Sequence, residues 1–400
     1  VLSFGGPAAQ IALMHRELVD ERGWLTEREF LSALSFCMLL PGPEAMQLAT
    51  YAGWKLRGVR GGLIAGLLFV LPGASVILGL SVLYAYLGDV PLVQALFVGI
   101  QAAIIAIVLE ALLKVARRAL KGPLAWSVAG LAFLGIFALG VPFPVIIALA
   151  ALAGALFARA APAEIAPSAR RGGSLRAILT WGAVWLVPLA LLWAAGSGIL
   201  AELGLFFAKL AVVTFGGAYA VLAYMTQEVV QTRGWLTTAE MVDGLGLAET
   251  TPGPLILVTQ FVGFLAGFRE GGLLLGLAGA AVTLWMTFAP CFLWIFAGAP
   301  WMDRIAGRPR LVAALAMVTA AVVGVILNLS LWFAAHVFFA EVGRLESGPL
   351  SLIAPDPASL RPVPLAIAAV SAVLLLRLHW PLPGVLALAA ALGVLASTLA

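Results

Sequence analysis

Charge is scarce in this chain. Only 10% of its 400 residues are Asp, Glu, Lys or Arg, against 63% hydrophobic. Soluble domains carry roughly a quarter of their residues charged, so a water-soluble protein is excluded, and a mean hydropathy of +1.08 agrees. Cysteine and histidine are scarcer still. Cys37 and Cys291 lie far apart in apolar surroundings, and His15, His336 and His379 share no ligand spacing with them. The thiols read as small core residues, and neither a metal nor a cofactor is expected. No Walker-type phosphate loop or nucleotide domain is present, so energy must come from gradients. No cleavable signal peptide is visible. The excess base behind a pI near 9.3 sits in segments between apolar runs. That pattern signals membrane topology and not nucleic-acid binding.

What is abundant is apolar sequence in runs long enough to span a bilayer, with 43 glycines and 23 prolines among them. The chain therefore reads as an all-α polytopic membrane protein. It is also duplicated. Leu40-Pro41-Gly42-Pro43-Glu44 reappears as Thr251-Pro252-Gly253-Pro254-Leu255, 211 positions downstream. At the same offset Gly5-Gly6 recurs as Gly216-Gly217, Glu17 as Glu228, Arg22-Gly23-Trp24 as Arg233-Gly234-Trp235, and Thr26 with Glu29 as Thr237 with Glu240. Each Pro-Gly-Pro removes two backbone donors and pushes the preceding residues out of helical dihedrals, so a helix must stop and restart there. In a membrane chain, paired interruptions in two halves point to a transport site.

Taken in order, residues 1–160 form a first transmembrane repeat. It lacks the apolar run Leu205–Val213 that leads into the second Phe-Gly-Gly, so further membrane sequence is expected before Val1. Arg22-Gly23-Trp24-Leu25-Thr26 suits a helix corner, with Gly23 as C-terminal cap and Thr26 with Glu29 as capping box. Phe30–Leu40 is too short to span. Full spans are expected at Gly61–Leu87 and Leu92–Ala116, followed by a hairpin of Leu124–Leu139 and Val141–Ala158. Residues 161–175 are a basic linker, 176–340 a second repeat, 341–362 a polar external loop without recognisable chemistry, and 363–400 a C-terminal helical hairpin. Bases at Lys55–Arg60, Lys114–Lys121 and Arg159–Arg176 assign those segments to the cytoplasm. In the second repeat the bias swaps ends, from the single Arg269 after its Pro-Gly-Pro to Arg304, Arg308 and Arg310 one span later. The fold class that follows is two inverted-topology repeats with discontinuous, Pro-Gly-Pro broken helices.

Unpaired backbone groups inside a membrane cost several kcal/mol each unless something satisfies them. A half-helix restarting after each break offers amide donors and a positive dipole end, which suits a small oxyanion. The candidate binding residues are Gly5, Gly6, Pro41, Gly42, Pro43, Glu44, Gln47, Gly216, Gly217, Thr250, Thr251, Pro252, Gly253 and Pro254, with Thr50, Thr259 and Gln260 nearby. A bland alternative is a tight kink buried by neighbouring helices. Among the acids, Glu44 follows the first break, where the dipole favours its ionised form and a cap or gate role. Glu249 precedes the second, where the dipole opposes ionisation and suits a proton carrier. Glu17 and Glu228 are second-rank proton-coupling candidates, or helix-surface carboxylates paired with neighbouring arginines. Arg22, Trp24, Arg233 and Trp235 are corner residues first and substrate contacts second.

These residues, with Phe69-Val70-Leu71-Pro72-Gly73 and Val323-Gly324-Val325-Ile326-Leu327-Asn328-Leu329, resemble the chromate transporter family in its long two-half form, over nearly the whole chain. The resemblance implies a multi-pass inner-membrane protein of bacteria or archaea that exports chromate and confers resistance, with sulfate as the related anion. By carry-over the family motifs fall on Gly5, Gly6, Arg22, Trp24, Pro41, Gly42, Pro43 and Glu44, and again on Gly216, Gly217, Pro252, Gly253 and Pro254. The partners expected are a small inorganic oxyanion and the lipid bilayer, with a homodimer left open. An oxyanion uptake carrier and an anion channel are the competing readings. An intramembrane enzyme is disfavoured, because no His/Cys or Ser/His arrangement accompanies the breaks.

Overall fold

The computed structural model describes residues 6–157, 174–215, 218–251, 253–302, 308–348 and 350–399. Gly5, Gly216, Gly217 and Pro252, together with all but the last two residues of the basic linker, lie outside the described residues. The described chain is almost wholly helical, and six of its helices are long and apolar enough to cross a membrane. It divides into two compact units, one of residues 1–82, 159–221 and 251–312, the other of 83–158, 222–250 and 313–400.

The first unit opens with α1 (Gly6–His15), which runs into a π-helical turn, Arg16–Glu21. The corner follows as expected. Gly23 takes the left-handed conformation at φ 58°, and Thr26 caps α2 (Glu27–Leu39) in a complete capping box with Glu29. The helix leaves helical geometry at Leu40, which is extended, and α3 (Glu44–Leu87) begins four residues later. Contact of the Lys55 ammonium with the Glu29 carboxylate ties the far end of the first arm of α3 back to the start of α2. Pro41-Gly42-Pro43 is thus the tip of a hairpin.

α3 is itself two arms. At Arg57 (φ −139°, ψ 24°) and Gly58 (φ 63°, ψ −154°) the helical dihedrals fail, and the chain folds back so that Gly53 and Gly61 approach backbone to backbone. A Cβ on Gly53 would lie 2.3 Å from the Gly61 carbonyl oxygen. The other long helix of this unit, α11 (Val258–Gly298), repeats the device. Gly271 (φ −156°, ψ 28°) and Gly272 (φ 70°, ψ −161°) reverse it, and a Cβ on Gly267 would lie 2.4 Å from the Leu275 carbonyl oxygen. Small residues at such crossings let helix backbones touch where lipid offers no hydrophobic drive. α7 (Ser174–Ala194) and α8 (Gly198–Val213) pack on α11; the Trp185 indole donates to the Met286 carbonyl at 3.3 Å.

In the second unit α4 (Pro91–Ala119) is the central helix, covered by the C-terminal pair α13 (Pro362–Leu376) and α14 (Leu382–Leu399). The α4–α14 seam is again glycine against backbone: a Cβ on Gly99 would lie 1.9 Å from the Ala389 carbonyl oxygen, and one on Gly393 2.3 Å from that of Ala95. α5 (Pro123–Leu139) and α6 (Phe143–Phe157) form the expected hairpin, turning at Gly140 in the left-handed conformation. α12 (Pro309–Phe338) reaches α5 at Gly324, whose Cβ would meet the Ala129 carbonyl oxygen at 2.2 Å. The segment expected to be a polar loop carries structure: β1 (Val342–Ser347) pairs antiparallel with β2 (Leu350–Pro355). α9 (Ala218–Thr226) continues into a second π-helical turn, Gln227–Thr232, and α10 (Thr238–Thr250) lies on α4.

Candidate functional site

At the first break two backbone groups are satisfied from within the protein. The Gly42 N–H donates to the Thr214 carbonyl at 3.0 Å, and the Gln47 amide nitrogen donates to the Pro41 carbonyl at 2.7 Å. Gly42 stands at φ +108°, and a Cβ there would lie 3.1 Å from the Gln47 amide nitrogen and 3.2 Å from the Cys291 sulfur. The positive φ favours glycine, and a Cβ would need both side chains to give by a few tenths of an ångström. Glu44 is the first residue of α3. The Gly42 amide inside the break is therefore engaged within the protein, just before the half-helix restarts after Pro43.

The second break is one step different. Pro254 is the N-cap of a short 3₁₀ turn, Leu255–Leu257, and the helix proper resumes only at Val258. Gly253, at φ +139°, comes within van der Waals reach of the Gly73 backbone, 3.3 Å from where its Cβ would stand. Its carbonyl accepts from the Gln10 amide nitrogen at 2.7 Å. So the helix after the first Gly-Gly tethers the second Pro-Gly-Pro, while Thr214, just before the second Gly-Gly, tethers the first.

A small cavity inside the first unit is lined by Gly42 and Pro43 of the first break, by Ile256 in the turn that follows the second break, and by Thr214, Val221 and Thr287. Its volume is about 20 Å³. A single water needs roughly 10–15 Å³ by the same measure, so the space admits water and not a tetrahedral oxyanion until its walls part. Thr287 donates to the Thr283 carbonyl and stands 3.4 Å from the Thr259 hydroxyl. The side-chain oxygens of Gln10, Gln47 and Gln260 are buried without a hydrogen-bond donor; each can accept from a water or a protonated anion.

The two corners match in detail. Arg22 stacks over Trp24 at 4.9 Å and pairs with Glu17 at 3.3 Å; Arg233 stacks over Trp235 at 4.7 Å and pairs with Glu228 at 3.7 Å. Thr237 and Glu240 reproduce the capping box. Here Arg, Trp and the two glutamates act together as a fastener for a helix turn.

Comparison with known proteins supplies what geometry alone does not. The model of the chromate transporter family matches residues 1–155 and 201–394. The chromate transport protein of Pseudomonas aeruginosa is 33% identical over 349 residues, covering 82% of this chain and 76% of that one. The chromate transport protein of Cupriavidus metallidurans is 31% identical, covering 81% and 77%. The probable chromate transport protein of Synechococcus elongatus is 31% identical, covering 81% and 79%. This chain belongs to the chromate transporter family. No solved structure matches it. As a member of the family with six candidate spans it is a multi-pass protein of a bacterial or archaeal inner membrane.

Within this family member the acids are distributed unevenly. Glu249, on α10, is buried. Thr250 donates to the Leu247 carbonyl at 2.9 Å, ending α10, and Thr251 is buried. One buried acid escaped the sequence reading. Asp243, 5% exposed, accepts from the Tyr84 hydroxyl at 2.7 Å and the Gln101 amide at 2.8 Å, joining α10 to the end of α3 and to α4 within the second unit. Its only signal in sequence was an aspartate between Glu240 and Glu249, in the apolar middle of the half-helix.

Proposed function

We propose that this protein carries chromate out of the cell through the space between its two Pro-Gly-Pro breaks, conferring resistance, with sulfate as a second substrate of the same shape. The observation that carries the reading is the small cavity lined by the first break and by the short turn that follows the second, in a chain whose relatives are named for chromate transport. The size of that cavity favours a carrier that opens by turns over a standing channel. Inverted topology of the halves is supported by the charge bias that swaps ends between them, and their duplication by the same corner, break and glycine reversal in each. Inverted repeats give a natural route to alternating access around a fixed midplane site.

Expelling a dianion from a negative interior gains about 2.3 kcal/mol per charge per 100 mV, so voltage alone can drive export. A proton route would run through buried Glu249, with Glu44 as cap or gate; Glu17 and Glu228 are tied to their arginines and serve the corners. The test is uptake of labelled chromate and sulfate into sealed inverted vesicles under an imposed voltage or pH gradient. Voltage- or pH-driven chromate accumulation is expected. Sulfate accumulation with chromate as a mere competitor would recast the protein as a sulfate carrier. Glu249→Gln is expected to flatten the pH dependence; an unchanged profile at wild-type rate removes the proton role.

A further inference from the structure

Within the second unit, the turn between α5 and α6, the π-helical turn after α9, the middle of α12 and the β-hairpin enclose a cavity of about 250 Å³, over ten times larger than the one at the breaks. Its polar lining is Thr226, Gln227, Gln231, Asn328, Arg344 and Ser351, and none of the described residues lining it is acidic. The exposed residues Gly140, Gln231 and Arg344 mark its mouth, and the buried Thr226, Leu329 and Trp332 its inner end. Thr226 is 2% exposed, and its hydroxyl has no hydrogen-bond partner in the protein. A buried hydroxyl without a partner is costly; here it borders a space roomy enough to hold one.

The π-helical turn is what turns this wall polar. Its wider winding runs from Gln227 to Thr232, and such turns recur at functional sites. The first repeat has an equivalent turn with different chemistry. There His15, Arg16 and Asp20 occupy the positions of Thr226, Gln227 and Gln231, and they are consumed in ion pairs: His15 with Asp20 at 3.3 Å and Glu27 at 2.6 Å, Arg16 with Glu21 at 3.4 Å. The second repeat keeps neutral donors facing a cavity and adds a guanidinium from the hairpin.

We propose that this cavity is a second oxyanion subsite, a vestibule in which a tetrahedral dianion is held by the Arg344 guanidinium and by amide and hydroxyl donors of Gln227, Gln231, Asn328 and Thr226. It rests on the reading that the protein transports an oxyanion. A planar guanidinium offers paired donors to two oxygens of one anion. The amides and hydroxyls complete the shell without further charge, so the anion is held and can leave. By the distribution of basic residues the hairpin faces the outside, which makes this the exit-side subsite of an exporter.

The test uses the full chain in right-side-out and inverted vesicles, with labelled sulfate and chromate as probes presented to either face. Arg344→Gln is expected to raise KM at the hairpin face about tenfold or more, with a much smaller change at the opposite face. Arg344→Lys is expected to recover part of the loss, and Thr226→Val to give a smaller rise. Unchanged KM at both faces in Arg344→Gln, with wild-type transport intact, overturns the subsite and leaves the transport reading standing. Failure of the wild type to move either anion overturns both. Should Arg344→Gln not fold, as judged by elution of the purified protein, Thr226→Val and Gln231→Leu decide: unchanged KM in both overturns the subsite.

Discussion

Gln47 illustrates how much of the break is held by single side chains. One amide nitrogen closes the Pro41 carbonyl at 2.7 Å and would crowd a Cβ on Gly42 at 3.1 Å. Asp243 does similar work in the second unit, where its two oxygens accept from Tyr84 and Gln101. Removing a buried acceptor strands both donors, and each stranded group costs about 1–3 kcal/mol. Asp243→Ala is therefore expected to lower the thermal unfolding midpoint of the detergent-purified protein markedly, and Asp243→Asn, which keeps one acceptor, to lower it less. Equal midpoints for Asp243→Ala and wild type would contradict this role. At the corner, the Lys55 ammonium and then the Thr26 backbone hold the Glu29 carboxyl below the usual carboxylate range. A depressed folded-state pKa contributes stability above about pH 4.5 that is lost as pH falls through the folded value. Glu29→Gln is expected to erase that acid-dependent part of the unfolding curve while leaving neutral-pH transport near normal.

At the scale of elements, glycine decides which helices can touch. The α4–α14 seam depends on Gly99 and Gly393, where any side chain would collide with carbonyl oxygens of the facing helix. Backbone cannot yield as a side chain can, so Gly99→Val is expected to separate the pair and reduce the yield of folded protein. Gly130→Val on α5, with nothing near its Cβ position, is expected to have little effect. Comparable loss in both variants would mean that helix propensity, and not the seam, is responsible. The glycine reversals in α3 and α11 show the same economy. Their dihedral pairs nearly coincide although Arg57 stands in one where Gly271 stands in the other. The left-handed member is glycine in both, which is where the requirement lies.

Across the whole chain, the features legible in sequence were those set by local backbone chemistry. Proline and glycine placed the breaks, Thr with Glu three residues on placed the capping boxes, and the 211-residue offset exposed the duplication. The features that escaped depend on groups distant in sequence. The extra 3₁₀ turn at Leu255–Leu257 leaves no mark in a run of apolar residues. Asp243 meets Tyr84 from 159 positions away, and the 342–355 hairpin has too little alternation to announce its strands. The cavity beside Arg344 combines four separate segments. For the breaks themselves, legibility extended to position but not to state, because nothing local foretold that Thr214 and Gln10 would close them. The central claim is that the oxyanion passes between these two tips. The most direct measurement is voltage-driven chromate accumulation in inverted vesicles by wild type, Gly42→Ala, Gly253→Ala and the control Gly130→Ala, at matched protein levels. Both break glycines sit at positive φ with close neighbours, so the account predicts at least tenfold slower accumulation in Gly42→Ala and Gly253→Ala and wild-type rates in Gly130→Ala. Wild-type rates in both break variants would contradict it.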